Sequence, residues 1–127
     1  MLDFNNINKS YTNVTKSNLV LDDASIKINT SNINLIIGTS GVGKSTLLNI
    51  MGCLIRPNSV TLLYSNKKYD LQKDNMNDFR ISSYSYLFQD YNLLPEFNVY
   101  DNLLLPSYIN KLNINDTKVS IEKYMKF

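Results

Sequence analysis

Gly38-Thr39-Ser40-Gly41-Val42-Gly43-Lys44-Ser45-Thr46 sets a lysine and two hydroxyls directly behind a run of glycines. The spacing is G-x-x-x-x-G-K-[S/T], the phosphate-binding loop pattern, with one further glycine inside it. The chain holds four glycines in 127 residues, and three of them lie in this stretch, so the backbone freedom is concentrated here. Glycine permits tight turns and close approach of backbone to a ligand. Successive N–H groups from Gly41 to Thr46 are expected to form an anion nest at a helix N-terminus. Lys44 would reach the β- and γ-phosphates of a nucleoside triphosphate, and Thr46 would contact the α-phosphate. The Ser45 hydroxyl would ligate Mg2+. The bland alternative is a glycine turn that merely joins a strand to a helix.

Such a loop works only if a strand delivers it and a helix receives it. Ile33 to Ile37 (Ile-Asn-Leu-Ile-Ile) is rich in β-branched residues and predicts that strand. Leu47, Leu48, Ile50, Met51, Leu54 and Ile55 predict a mostly buried helix over 44–54, ended by Arg56-Pro57-Asn58-Ser59. Upstream, Leu2, Phe4 and Ile7 alternate with polar residues, a half-buried strand signal. Leu19 to Leu21 with Ala24, Ile26 and Ile28 predict a second strand, followed by a turn at Thr30-Ser31-Asn32. Downstream, Val60 to Tyr64 reads as a strand, Asp74 to Phe79 as a short helix, and Tyr84 to Phe88 as an aromatic strand ending at Gln89. Asn98 can cap a helix over 99–105 that Pro106 stops. Asp116 can cap a last helix from Thr117 onward, with Ile121, Tyr124 and Met125 on one face.

The length suits one small domain able to bury a core. A net charge of +2 and a pI of about 8.6, evenly spread, give no argument for a nucleic-acid partner or an anionic membrane surface. The single Cys53 cannot form an internal disulfide, which suits a reducing compartment. Its neighbours Ile50, Met51, Leu54 and Ile55 favour a buried apolar side chain over a reactive thiol. The N-terminus lacks a basic start followed by an apolar run, and no stretch approaches the length of a membrane span. The expected location is cytoplasmic.

Other phosphate-loop classes fit poorly. A GTPase needs D-x-x-G after the loop, and no glycine follows Gly52. Asn66-Lys67-Lys68-Tyr69-Asp70 is one residue too long for its N-K-x-D base reader. A small-metabolite kinase would show an arginine-rich lid, whereas Arg56 and Arg80 are the only arginines. The run Ile36 to Gly52, by contrast, resembles the first motif of ABC transporter ATP-binding subunits. The run Tyr86-Leu87-Phe88-Gln89-Asp90-Tyr91-Asn92-Leu93-Leu94-Pro95-Glu96-Phe97-Asn98-Val99-Tyr100-Asp101-Asn102 and on to Pro106 resembles their Q-loop and the segment after it. The likeness is greatest to the lipoprotein-release, macrolide-export and peptide-export branch. Tyr11, within Asn8-Lys9-Ser10-Tyr11, stands where that family keeps the aromatic that stacks on adenine.

The resemblance implies an α/β fold of the P-loop NTPase type, an ABC nucleotide-binding domain whose helical subdomain starts at about 90. It implies ATP and Mg2+ as cofactors, held by residues 38–46 with Tyr11 on the base. Gln89 would approach Mg2+ and the attacking water, and Phe88 would pack the core. It implies two partners: a membrane permease subunit contacted through about 90–106, and a second ATP-binding subunit completing a dimer on the cytoplasmic face of the membrane. Physically, Tyr11 can serve as a stacking platform, or as an ordinary tyrosine at a strand end.

The chain also departs from the family pattern. Ser31-Asn32 stands where Gly-Glu is usual, and Val60 and Asn66 each replace a customary glycine. Valine cannot take positive φ cheaply, so locally altered turns are expected. The L-S-G-G-Q signature, the Walker B strand with its catalytic carboxylate and the switch histidine are missing, and the chain has no histidine at all. The resemblance covers the first half of an ATP-binding subunit, truncated before those motifs. Three readings stand: an exporter ATPase subunit unable to hydrolyse ATP alone, a non-catalytic nucleotide-binding module, or an inactive remnant. Apolar strand edges left open predict marginal stability and self-association.

Overall fold

The computed structural model describes residues 1–14, 16–65 and 67–125. It divides into two units, Met1–Tyr84 and Ser85 onward. In the first, the alternation around Phe4 becomes a long strand, β1 (Leu2–Thr12), and the run that follows becomes β2 (Ser17–Ile28). β1 also pairs with β3 (Ser59–Tyr64), which carries the short β4 (Lys67–Tyr69) on its other edge. All pairings are antiparallel, and the strand order is β2-β1-β3-β4. Pairing between β1 and β2 shifts register beside Asn6, whose φ of 57° is matched by 46° at Asp23. Asn and Asp tolerate this region better than other side chains, and Asn6 Nδ2 donates to Asp23 Oδ1 at 2.7 Å.

One face of the sheet is packed against α1 (Lys44–Met51), with α2 (Asn77–Ser83) nearby in sequence to β4. Phe4, Ile7, Ile50 and Leu62 are completely buried. Leu47 and Met51 of α1, and Phe79 of α2, pack against the same cluster. Phe79 gathers the rings of Tyr64, Tyr69 and Tyr84 at centroid distances of 5.5, 5.1 and 5.7 Å. Each fully buried apolar side chain of this size stabilises the fold by roughly 1.5–3 kcal/mol relative to exposure.

Several sequence expectations are corrected. Ile33 to Ile37 is not a strand: Ile33 is wholly exposed and Leu35 and Ile37 are about four-fifths exposed. β-propensity reflects fit to a neighbouring strand and a covered face. Among the described residues, none of β1 to β4 pairs with this segment. Tyr84 to Phe88 likewise forms no ladder, although the rings of Tyr86 and Phe88 stack at 5.8 Å. Phe88 is about half exposed, so it does not pack a core. α1 ends at Met51 rather than at Leu54, because Gly52 caps it and Cys53 turns to φ 57°. Leu54 and Ile55 then bond back to the Asn49 carbonyl. α2 starts later than expected, after a turn in which Asp74 Oδ2 accepts from Asp70 N at 2.8 Å. Val60 lies buried within β3 and outside the left-handed region, so the side chain in place of the customary glycine strains nothing. Asn66 lies outside the described residues.

The second unit contains α3 (Val99–Ile109) and α4 (Ile114–Tyr124). Asn98 caps α3 as expected, accepting from Asp101 N at 2.8 Å. Pro106 does not stop α3. It sits inside the helix, and the ladder resumes with Asn110 N donating to Pro106 O at 3.0 Å. The cost falls on one lost bond to the Asn102 carbonyl, and the Asn102 side-chain amide donates to the Asn98 carbonyl in the turn below. α4 is capped by Asn113, which accepts from Asn115 N, while Asp116 becomes a first-turn acid that favours the helix dipole. Ser107 of α3 donates to Thr117 of α4 at 2.9 Å. Leu104 and Ile121 are buried, whereas Tyr124 is largely exposed.

The burial pattern generates a paired prediction. Ile50→Ala should lower the stability of the chain by about 2–5 kcal/mol, seen as a lower thermal midpoint. Leu35→Lys should leave the midpoint within a few degrees and reduce self-association in sedimentation velocity. A midpoint lost in Leu35→Lys would show that the segment is packed.

Candidate phosphate-binding site

The loop between Ile37 and α1 takes its shape from glycine. Gly43 adopts φ 99° immediately before α1 and Gly41 adopts φ 79°, values that L side chains take only with strain. Gly43 is also pressed against β2. A Cβ there would lie 3.1 Å from Val20 Cγ1, 3.2 Å from Val20 O and 3.3 Å from Leu21 Cδ2. At Gly41 a Cβ would point into open space. The first contact seats the loop on the sheet, and the second position leaves room for a ligand.

Gly43 O accepts the first helical bond from Leu47 N at 2.8 Å. A helix leaves its first N–H groups without intrahelical partners. Gly43 supplies no side-chain oxygen, and no acidic residue stands in the first turn of α1. An anion is thus the natural complement of this end. Lys44 folds back over the loop, its Nζ donating to Gly38 O at 2.9 Å and Thr39 O at 2.7 Å. The ammonium is therefore held on the loop side of the helix by two neutral carbonyls. Thr39, Ser40, Val42 and Ser45 are exposed, and Thr46 is half-buried. Among the described residues no group of three His, Cys, Asp or Glu side chains could hold a metal by itself. The Ser45 hydroxyl is exposed at the first turn of α1.

Tyr11 lies on β1 opposite Asn18 of β2, two residues from the Val20 that Gly43 packs on. Its ring is about half exposed, and Lys9 Nζ stands 4.8 Å from the ring centroid. The structure thus brings Tyr11 and residues 38–46 onto one sheet-and-helix frame. Gln89 belongs to the second unit, in exposed irregular chain. Within that unit Asn102 binds the preceding loop. Its amide accepts from Leu94 N and donates to the carbonyls of Leu94, Phe97 and Asn98 at 2.8–3.1 Å. That role leaves no local sequence signal beyond a capped helix.

Cys53 fits the expectation of an inert thiol. Burial pushes its pKa up to about 11, outweighing the lowering effect of the Arg80 guanidinium. Among the described residues no helix is long and apolar enough to cross a membrane.

Three comparisons place this geometry among known proteins. The ABC transporter family model matches residues 21–127. The lipoprotein-releasing system ATP-binding protein LolD of Rickettsia felis is 36% identical over 121 residues, covering 95% of this chain and 52% of that protein. Its counterpart in Syntrophotalea carbinolica is 34% identical over 110 residues, covering 86% of this chain and 48% of that one. The macrolide export ATP-binding/permease protein MacB of Burkholderia thailandensis is 33% identical over 108 residues, 84% of this chain and 16% of MacB. The chain thus spans about half the length of the LolD proteins it matches. Among solved structures, the dimeric ATP-binding cassette MJ0796 in a post-hydrolysis state bound to ADP and Pi aligns with a TM-score of 0.73 at 28% identity. That alignment covers 86% of this chain and 47% of the cassette. A second dimeric structure of the same cassette aligns with a TM-score of 0.74 over the same shares.

The loop geometry predicts a graded response to alanine. Gly41→Ala should cost about 1 kcal/mol from backbone strain alone, and Gly43→Ala more, because its methyl also meets Val20. Thermal melts of the two variants check the order. For Cys53, alkylation by iodoacetamide at pH 8 should run on the order of 100-fold slower than for an ordinary thiol, because only the thiolate attacks. The rate should rise tenfold per pH unit up to about 11. Between pH 9.0 and about 11 the folded chain keeps a proton that the unfolded chain releases, so stability falls as pH rises through that window. A rate plateau near pH 9 would place the thiol in solvent.

Proposed function

The chain belongs to the ABC transporter family, and we propose that it binds Mg-ATP through residues 38–46 as the ATP-binding part of a membrane exporter. One observation carries this reading. The Lys44 ammonium is parked on the carbonyls of Gly38 and Thr39, beside a helix end that has no cap of its own. The β- and γ-phosphates would take Lys44 from these carbonyls, since a charge-assisted bond to phosphate is the stronger of the two. The N–H groups from Gly41 to Thr46 would hold the remaining oxygens. Ser45 would ligate Mg2+, which would supply charge neutralisation between the phosphates. Tyr11 would carry the adenine, the exposed ring covering a purine face at low entropic cost.

Hydrolysis needs a group to position or deprotonate water. The 127 residues contain no histidine, no signature motif and no Walker B carboxylate of the family pattern. This chain by itself is therefore proposed to bind ATP without turning it over. The residues from about 90 to 106 would meet a permease subunit, and a second ATP-binding subunit would face the loop across a dimer at the cytoplasmic side of the membrane. The names of the relatives support both partners: LolD is the ATP-binding protein of a releasing system, MacB joins ATP-binding and permease parts, and the MJ0796 cassette is dimeric. The departures at Ser31, Asn32 and Val60 support a second reading, a non-catalytic module or inactive remnant of such a subunit.

Equilibrium titration with Mg-ATP tests the proposal. Lys44→Ala should weaken binding by about 10- to 100-fold, the worth of hydrogen bonds to a charged group, with the fold intact by circular dichroism. Steady-state phosphate release should stay at background. Undiminished binding in Lys44→Ala would sink the reading, and no binding by the folded parent chain would favour the remnant.

A further inference from the structure

Tyr11 comes with a device that fixes its ring. The turn after α1 is clamped to the end of β1: Asn58 N donates to Asn8 O at 2.8 Å, and Asn58 Oδ1 accepts from Ser10 N at 2.6 Å. Lys9 completes the clamp. Its Nζ donates to Arg56 O at 2.9 Å, a carbonyl of that same turn, and stands 4.8 Å from the centre of the Tyr11 ring. A lysine on a flexible four-carbon stem usually lies free in solvent. Here it is anchored at one end by a carbonyl and lies against an aromatic ring at an ordinary cation–π distance. A ring has two faces, and the ammonium covers one. Tyr11 as a residue remains 45% exposed, so solvent-facing surface is left for a ligand opposite the ammonium.

We infer that Lys9 is the positioning residue for purine stacking: it holds the Tyr11 ring from behind, on the turn that follows the phosphate-loop helix, so that the base is met by a surface already oriented. The inference rests on the reading of Tyr11 as the adenine platform. An unanchored tyrosine would have to lose two side-chain rotations when the base arrives, and pre-ordering removes that cost from binding. The clamp also joins the two ends of the site. Arg56 and Asn58 follow α1, whose other end carries Lys44. The distance between base platform and phosphate loop is therefore set by one helix and one strand pair.

Two ligands separate this role from a merely structural one. Mg-ATP reports base and phosphates together, and Mg-tripolyphosphate reports the phosphate loop alone. In the full chain, Lys9→Met should lower ATP affinity about 2- to 5-fold, the range of an exposed cation–π contact, and leave tripolyphosphate affinity unchanged. Lys9→Arg, which can still stack and donate, should restore the ratio. Tyr11→Ala should reduce the ratio at least as far. Equal losses for both ligands in Lys9→Met, or no change in their ratio, would overturn the positioning role. An unchanged ratio in Tyr11→Ala would instead remove the stacking reading itself while leaving phosphate binding through Lys44 standing.

Discussion

The contact between Gly43 and Val20 is the constraint on which the site depends. The phosphate loop approaches the second strand so closely that a Cβ at Gly43 would lie 3.1 Å from Val20 Cγ1, and does so at a φ of 99°. That single approach fixes where α1 begins and which way its free N–H groups point. It also fixes where the Lys44 ammonium can reach. Ile50, about two turns further along α1, is sealed in the core with Phe4, Ile7 and Leu62. The helix is thus held at its start by a missing side chain and near its end by a large buried one. In the proposed nucleotide complex the scaffold would not have to move, and only Lys44 would exchange its carbonyl partners.

What was legible in the sequence follows from which interactions are local. The glycine loop, β1, β2, α1 and β3 were readable because their signals lie within a few residues: alternation at Leu2 and Phe4, helical spacing at Leu47, Ile50 and Met51. Asn98 as a cap was readable for the same reason, its bond spanning three residues. The failures involve partners that local pattern cannot show. Ile33 to Ile37 and Tyr84 to Phe88 carry strand composition, but a strand is made by a ladder, and the described residues supply none. Pro106 misled in the opposite sense. A proline signals a helix end, yet one lost backbone bond is tolerated where the turns on both sides remain tied. β4 escaped notice because three residues are too few to show a period.

The site residues divide along the same line. Gly38 to Thr46, the proposed phosphate nest, stand out through spacing, since the chemistry of such a nest demands consecutive backbone groups. Tyr11 was visible only by resemblance, because one aromatic among nine tyrosines carries no spacing signal. Lys9, Asn58 and Val20 gave no local signal, since the contacts of each span 23 to 48 positions of sequence and only the fold creates them.

The exposed apolar run before the loop and the tightly seated loop after it are adjacent, and their energetics pull apart. Ile33, Leu35 and Ile37 present large apolar surfaces to water, which disfavours leaving the segment uncovered. The loop gains its position from Gly43 and α1, on its C-terminal side, and not from that segment. Phosphate-loop geometry can therefore persist while segment 33–37 forms no ladder with the described strands, because Lys44 is held by the carbonyls of Gly38 and Thr39 and Gly43 is seated on β2. Covering 33–37 with a further strand would then add stability without having to create the site. The order of dependence runs from sheet to helix to loop, with the approach segment last.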